Sequence, residues 1–164
     1  MYLLDSNTFI EAKNRYYGFD ICPGFWQWMD ANSPAGEVKS ITMVYEELAD
    51  GNDELADWIK TRKDDGRFLD ISDPLTQEVF SNIAAMVQSG PYKLAGITHF
   101  LNKADPWLIA KAKTTGGTVV TDEVSAPDSI RSVKIPDVCV AFGVPYINTF
   151  DLLRTETAAF GLMD

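Results

Sequence analysis

"GGTVVTDEV", Gly116–Val124, is the stretch whose reading decides the fold. Its centre looks like a short buried strand, yet it runs straight into two carboxylates, Asp122 and Glu123. A core strand that surfaces in acids is unusual for packing alone and raises the question of chemistry at its end. "YLLD" at the start of the chain repeats the arrangement, an apolar run closed by Asp5.

The segments between these runs read as helices. "PGFWQWMDA" is aromatic-rich and is expected to be helical after Pro23. "SPAGEVKS" reads as a loop leading into a helix over "ITMVYEELADG", with Ser40 as its N-cap and Gly51 just past its end. "DELADWIKTRKDDG" follows as a helix closed by Gly66, and "RFLDI" as a short strand or extended connector. "DPLTQEVFSNIAAMVQSG" begins with the Asp73–Pro74 pairing that starts a helix and stops at Gly90. Its apolar residues Leu75, Val79, Ile83 and Met86 fall at helical spacing. "ADPWLIAKAKTTGG" uses the same device, with Asp105 as cap before Pro106. "VPYINTF" is read as the last strand, followed by a short helix, "DLLRTE". Short apolar strands separated by helices imply an α/β fold with a mostly parallel central sheet covered on both faces. In such sheets the active crevice lies beyond the carboxyl ends of the strands.

A chain of 164 residues is expected to form a single domain, residues 1–164, with a sizeable core. With 46% hydrophobic and 12% aromatic residues, it is expected to fold rather than stay disordered. No apolar run approaches the ~20 residues that span a bilayer, and "MYLLDSN" lacks the basic flank of a signal peptide. The expectation is a soluble, cytoplasmic protein without a membrane partner. Cys22 and Cys139 have neither metal-site spacing nor disulfide density and are read as reduced. His99, the only histidine, is read as a surface or helix-flanking residue. The net charge of −10 argues against broad binding of a polyanion through a basic surface. It does not exclude a nucleic-acid substrate, because clustered carboxylates carry charge that a bound cation partly neutralises.

Four acidic positions could meet. Asp5 serves equally as a helix cap or as a metal ligand at the top of the sheet, and Asp105 has the same two readings. On the helix over Ile41–Gly51, Ile41, Val44, Tyr45 and Leu48 define one apolar stripe. Glu47 lies roughly 110° from its centre and Glu46 roughly 150°, so Glu47 is the better placed to reach inward. At the end of "TVVTD", strand alternation puts Asp122 and Glu123 on opposite faces, and composition does not choose between them. Carboxylates gathered in a cleft repel one another unless a cation sits among them, and Mg²⁺ or Mn²⁺ suits oxygen ligands.

The pieces "YLLDSNTFI", "ITMVYEEL", "ADPWLIAKA" and "VVTDE", in this order, resemble a PIN domain, the small α/β nuclease fold of VapC-type toxins and related ribonucleases. The likeness covers roughly residues 1 to 150. More narrowly, "LLDSNTFIEAKNRYYGFDICPGFW", "ADPWLIAKA" and "VKIPDVC" resemble a prokaryotic PIN-like family associated with toxin–antitoxin loci. The resemblance implies a three-layer α/β/α sandwich. It also implies a Mg²⁺- or Mn²⁺-dependent endoribonuclease, the toxin of a type II pair, with RNA as substrate, an antitoxin protein as partner and a homodimer as assembly. Asp5, Glu47, Asp105 and Glu123 would hold metal and position water, with Asp122 as the fallback for Glu123. Ser6, Asn7, Thr121 and Asp137 would support them. Lys13, Arg15, Lys111, Lys113, Arg131 and Lys134 would be candidates for phosphate contacts. Many PIN domains carry aspartate where this chain has Glu123, so that position departs from the pattern. Two other readings stand beside this one: a PIN-like scaffold that binds without cleaving, and an Asp-dependent phosphohydrolase acting through Asp5. The aromatic segment Phe25, Trp26 and Trp28 is read as core, or else as an interface.

Overall fold

Five strands carry the fold: β1 (Tyr2–Leu4), β2 (Val38–Ile41), β3 (Phe68–Leu69), β4 (Thr118–Val120) and β5 (Tyr146–Ile147). They form one sheet in the order β3-β2-β1-β4-β5, and every neighbouring pair is parallel. The computed structural model describes residues 1–162. Leu3, Leu4, Val119 and Val120 are buried, as strands covered on both faces require.

The helices are α1 (Ser6–Glu11), α2 (Pro23–Asn32), α3 (Thr42–Ala49), α4 (Glu54–Lys60) and α5 (Pro74–Ser89), followed by α6 (Leu94–Leu101), α7 (Asp105–Thr115), α8 (Ile135–Phe142) and α9 (Thr149–Thr155). A π-helical turn, Ala12–Tyr16, extends α1. Helix α7 lies against β1, β2 and β4, with α5, α6 and α8 packed on it. Helices α1, α3 and α4 pack together as the other layer, giving the PIN-like three-layer sandwich. No helix among the described residues is long and apolar enough to cross a membrane.

Several expectations are corrected. "SPAGEVKS" is not all loop, since Val38–Ile41 form β2, beside the central strand. Its polar residues hid it. The Ser40 hydroxyl donates to the Leu4 carbonyl at 2.7 Å instead of capping α3. Lys39 donates its ammonium to the carbonyls of Ser33, Pro34 and Gly66. Helix α3 therefore starts at Thr42 with no side-chain cap. Asp105 is not a cap either: it is the first residue of α7, after Ala104. Helix α4 ends at Lys60, well before Gly66, and α9 already begins at Thr149. Helices α6 and α8 had no counterpart in the pattern of the sequence. Leu75 points outward, whereas Ile83 and Val87 face the core.

Phe25 and Trp26 are buried, and Trp28 is half-buried beside them. Tyr17 stacks on Phe25 with ring centroids 4.5 Å apart, and Phe19 stacks on Trp26 at 4.1 Å. Trp26 donates its indole N–H to the Tyr17 carbonyl at 2.7 Å, so the polar edge of the ring is satisfied inside. This segment is core. Cys139 is buried and Cys22 half-buried, and both are free thiols.

Helix α6 approaches the 130–132 segment closely. The Lys93 N–H donates to the Ile130 carbonyl at 2.8 Å, and a Cβ on Gly96 would lie 2.4 Å from the Arg131 oxygen. Gly96→Ala must push these two stretches of backbone apart, and is expected to cost about 1–3 kcal/mol in urea unfolding.

Candidate active site

The chain order of the sheet makes a crevice. From β1 the chain passes to β2 on one side, while β4 pairs with β1 on the other, so connections leave in opposite directions above this pair. Asp5 directly follows β1, and Thr121, Asp122 and Glu123 directly follow β4.

Asp5 is only 1% exposed. One carboxylate oxygen accepts from the Thr8 N–H at 2.6 Å and caps α1, while the other accepts from the Thr121 hydroxyl at 2.6 Å. Cap and crevice positions are therefore the same position. Burial pushes its pKa up to about 6, against the hydrogen bonds from Thr121 and Thr8, and the negative charge of Glu123 adds to the rise.

Glu47 points inward from α3. Its Oε2 accepts from the Ser6 hydroxyl at 2.5 Å and its Oε1 from the Ala104 N–H at 2.8 Å. It thus ties the start of α1 to the start of α7. Glu46 lines a separate cleft with Tyr45 and Lys63. Asp105 differs from both. Among the described residues no group donates a hydrogen bond to its carboxylate. Burial first, then the charges of Asp5, Glu123 and Glu47, push its pKa up to about 7, with Lys103 opposing.

Asp122 and Glu123 turn to different helices. Asp122 accepts from the Thr149 N–H at 3.0 Å and its hydroxyl at 2.9 Å, at the start of α9. Glu123 accepts from the Ile135 N–H at 2.8 Å, the first of α8. Glu123 shares a cleft of about 370 Å³ with Ser6, Asn7, Glu47 and Asp105, whereas Asp122 lines the neighbouring clefts. Asp137 lies in the first turn of α8. It accepts from the Ser125 hydroxyl at 2.5 Å and the Ala126 N–H at 3.0 Å, pinning the loop after β4.

The basic residues are distributed differently from expectation. Lys13 pairs with Asp53 at 2.9 Å, Arg15 with Glu11 at 2.9 Å and Lys111 with Asp73 at 2.7 Å. Lys113 and Arg131 are exposed, and Lys134 is half-buried just before α8. Of these six, Arg15 shares a cleft with Glu123. The cation on the rim of the acidic cleft is instead Lys103, and the His99 imidazole lines the same cleft. Both were missed because α6 was unread. Its last turn and the link to α7 carry them.

The carboxylates of Glu47, Asp105 and Glu123 offer oxygen ligands in the cleft, which suits a hard divalent cation. Among the described residues, no three Asp, Glu, His or Cys side chains are gathered closely enough to hold a metal ion between them. Three of the four carboxylates, those of Asp5, Glu47 and Glu123, are held by backbone N–H groups. Such an arrangement fits an ion like Mg²⁺, which takes one or two carboxylates directly and keeps several waters.

Fold and crevice together define a PIN-like α/β protein with an acidic pocket above its central strands. The chain matches Domain of unknown function (DUF4411) over residues 2–160 and belongs to that family. No curated protein matches it. Similar solved structures include FitAcB from Neisseria gonorrhoeae, at 18% identity and TM-score 0.53, covering 92% of this chain and 99% of that one. FitAB bound to an IR36 DNA fragment is similar at 19% identity and TM-score 0.52, covering 90% of this chain and 94% of that one. At these identities the likeness carries the fold.

Proposed function

We propose that the protein is a Mg²⁺- or Mn²⁺-dependent endoribonuclease and the toxin of a toxin–antitoxin pair. One observation carries this reading: the carboxylate of Asp105, to which no described group donates, shares the acidic cleft with Glu47 and Glu123 and lies within electrostatic reach of buried Asp5. Asp105 and Asp5 would hold the cation, with Glu47 and Glu123 reaching it directly or through water. Bound there, the cation would supply Lewis acidity toward water and would offset charge on the phosphate. Thr121 fixes one Asp5 oxygen, and Ser6 fixes Glu47, so both acids are oriented before substrate arrives. Lys103 and His99 stand on the rim where a phosphodiester would enter, and the ammonium of Lys103 offsets the acids that would repel it. An antitoxin partner and a homodimer belong to the same reading through the PIN resemblance.

The test is cleavage of a labelled RNA with Mn²⁺ and with EDTA, by the parent protein and by Asp5→Asn. Asparagine keeps an oxygen for the Thr8 N–H and presents an amide to the Thr121 hydroxyl, which also accepts, so the fold should survive. Mn²⁺-dependent cleavage that falls by at least about a hundredfold in the variant is expected. Activity retained by a well-purified, folded Asp5→Asn protein would overturn the site. The scaffold alternative draws on Glu47 and Glu123, whose oxygens are already engaged by backbone groups. Calorimetric titration decides between them, because a scaffold would take up neither Mg²⁺ nor Mn²⁺.

A further inference from the structure

A second cleft, of about 590 Å³, opens beside the acidic one and shares Glu123 with it. Its walls carry three aromatic rings that the core leaves out: Tyr16, Tyr146 and Phe150 are 46%, 39% and 37% exposed. Tyr16 and Phe150 meet edge to face, with centroids 5.2 Å apart and planes at 78°. Two rings at that angle form a corner in which a flat ring can lie on one face and abut the other. Tyr16 is the last residue of the π-helical turn, a distortion that is frequent at functional sites. It also lines the small cleft that joins Arg15 to Glu123, so the corner is continuous with the acidic crevice.

We propose that Tyr16 and Phe150 form a binding corner for one nucleobase of the substrate, adjacent to the phosphate held at the acidic cleft. The inference rests on the nuclease reading and adds the subsite that grips the substrate. The neighbours of the corner decide what enters it. Asp122, Glu123 and Asp151 repel phosphate, but they accept from the exocyclic amino groups of a base edge. A base therefore fits the corner better than the backbone does. Only an unpaired base presents a free face and edge there, because a paired one is stacked inside its helix. Arg15, beside Tyr16 in the adjoining small cleft, is the cation nearest the corner along the chain for the backbone of such a base.

The experiment is single-turnover cleavage with Mn²⁺ of a short, labelled, mixed-sequence single-stranded RNA, at increasing protein concentration. The parent protein is compared with Tyr16→Leu and with Tyr16→Ala/Phe150→Ala. Leucine keeps apolar bulk for folding but loses the flat face. Both variants should need about tenfold more protein for half-maximal rate, while the maximal rate changes little. Thermal stabilisation by Mn²⁺ should be unchanged. For the parent, one abasic position next to the cleaved bond should produce the same loss, and in the variants it should add nothing. Unchanged half-maximal concentrations, or indifference of the parent to abasic positions, would overturn the corner alone. Equal cleavage of the same sequence in a duplex would also overturn it. If the substitutions change self-association on a sizing column and leave cleavage intact, the rings are a contact between copies and the corner falls. A parent protein that cleaves no RNA removes the nuclease reading, and the corner with it.

Discussion

Replacing Asp105 by asparagine is expected to raise the melting temperature of the metal-free protein near pH 8 and to erase its stabilisation by Mn²⁺. The cause is the carboxylate's surroundings. Burial and three neighbouring acids raise the pKa of Asp105 to about 7, and burial raises that of Asp5 to about 6. A carboxyl whose pKa is higher in the folded state than in the unfolded chain contributes stability while it is protonated. That contribution is complete below about pH 4 and is lost as the pH climbs through the folded-state values. Between about pH 4 and pH 7 the metal-free protein should therefore lose stability, on the order of 2 kcal/mol or more from Asp105. Saturating Mn²⁺ should oppose this loss, by ~2.7 kcal/mol at a hundred times its dissociation constant. The Asp105→Asn protein would lack both the penalty and the ligand. Melting curves at several pH values, with and without Mn²⁺, test this. A variant that melts lower than the parent at high pH, or that still gains from Mn²⁺, would sink it.

Phe100→Ala is expected to have the largest effect on stability outside the crevice, about 3–5 kcal/mol in denaturant unfolding. Phe100 is a large, fully buried side chain on α6. Its loss leaves a cavity beneath the helix that presents His99 and leads to Lys103. The same variant should therefore weaken RNA cleavage under conditions where it remains folded. A loss below about 1 kcal/mol would mean that α6 is not anchored through this ring.

The fate of α6 shows what a single sequence discloses. The strands "YLL" and "TVV" and the helices that open on Asp73–Pro74 and Asp105–Pro106 were legible, because apolar runs and proline punctuation are local signals. The acids that close those strands were legible for the same reason. The inward turn of Glu47 followed from its helical angle. Strand β2 was obscured because Lys39 and Ser40 satisfy backbone carbonyls across the fold, partners that no local window contains. Helices α6 and α8 open without a side-chain cap from the residue before them, and the one local mark, Pro136 at the start of α8, was not read as a helix start. With α6 went Lys103 and His99, and the search for cations turned to lysines that pair elsewhere. The split between Asp122 and Glu123 was likewise out of reach, since it depends on where α8 and α9 begin.

Three acids at the crevice double as fasteners: Asp5 holds the first turn of α1, Glu47 the entry to α7, and Glu123 the entry to α8. On the proposed nuclease reading, chemistry and scaffold draw on the same atoms there, and only a substitution that keeps the fastening oxygen, as Asp5→Asn does, separates the two. A defect at Glu47 or Glu123 will look like misfolding before it looks like inactivity. Asp105 holds nothing in place. If the nuclease reading holds, it is the position at which this lineage could switch catalysis off and keep the protein intact, and its identity in related chains would be the simplest sign of which copies have become binders.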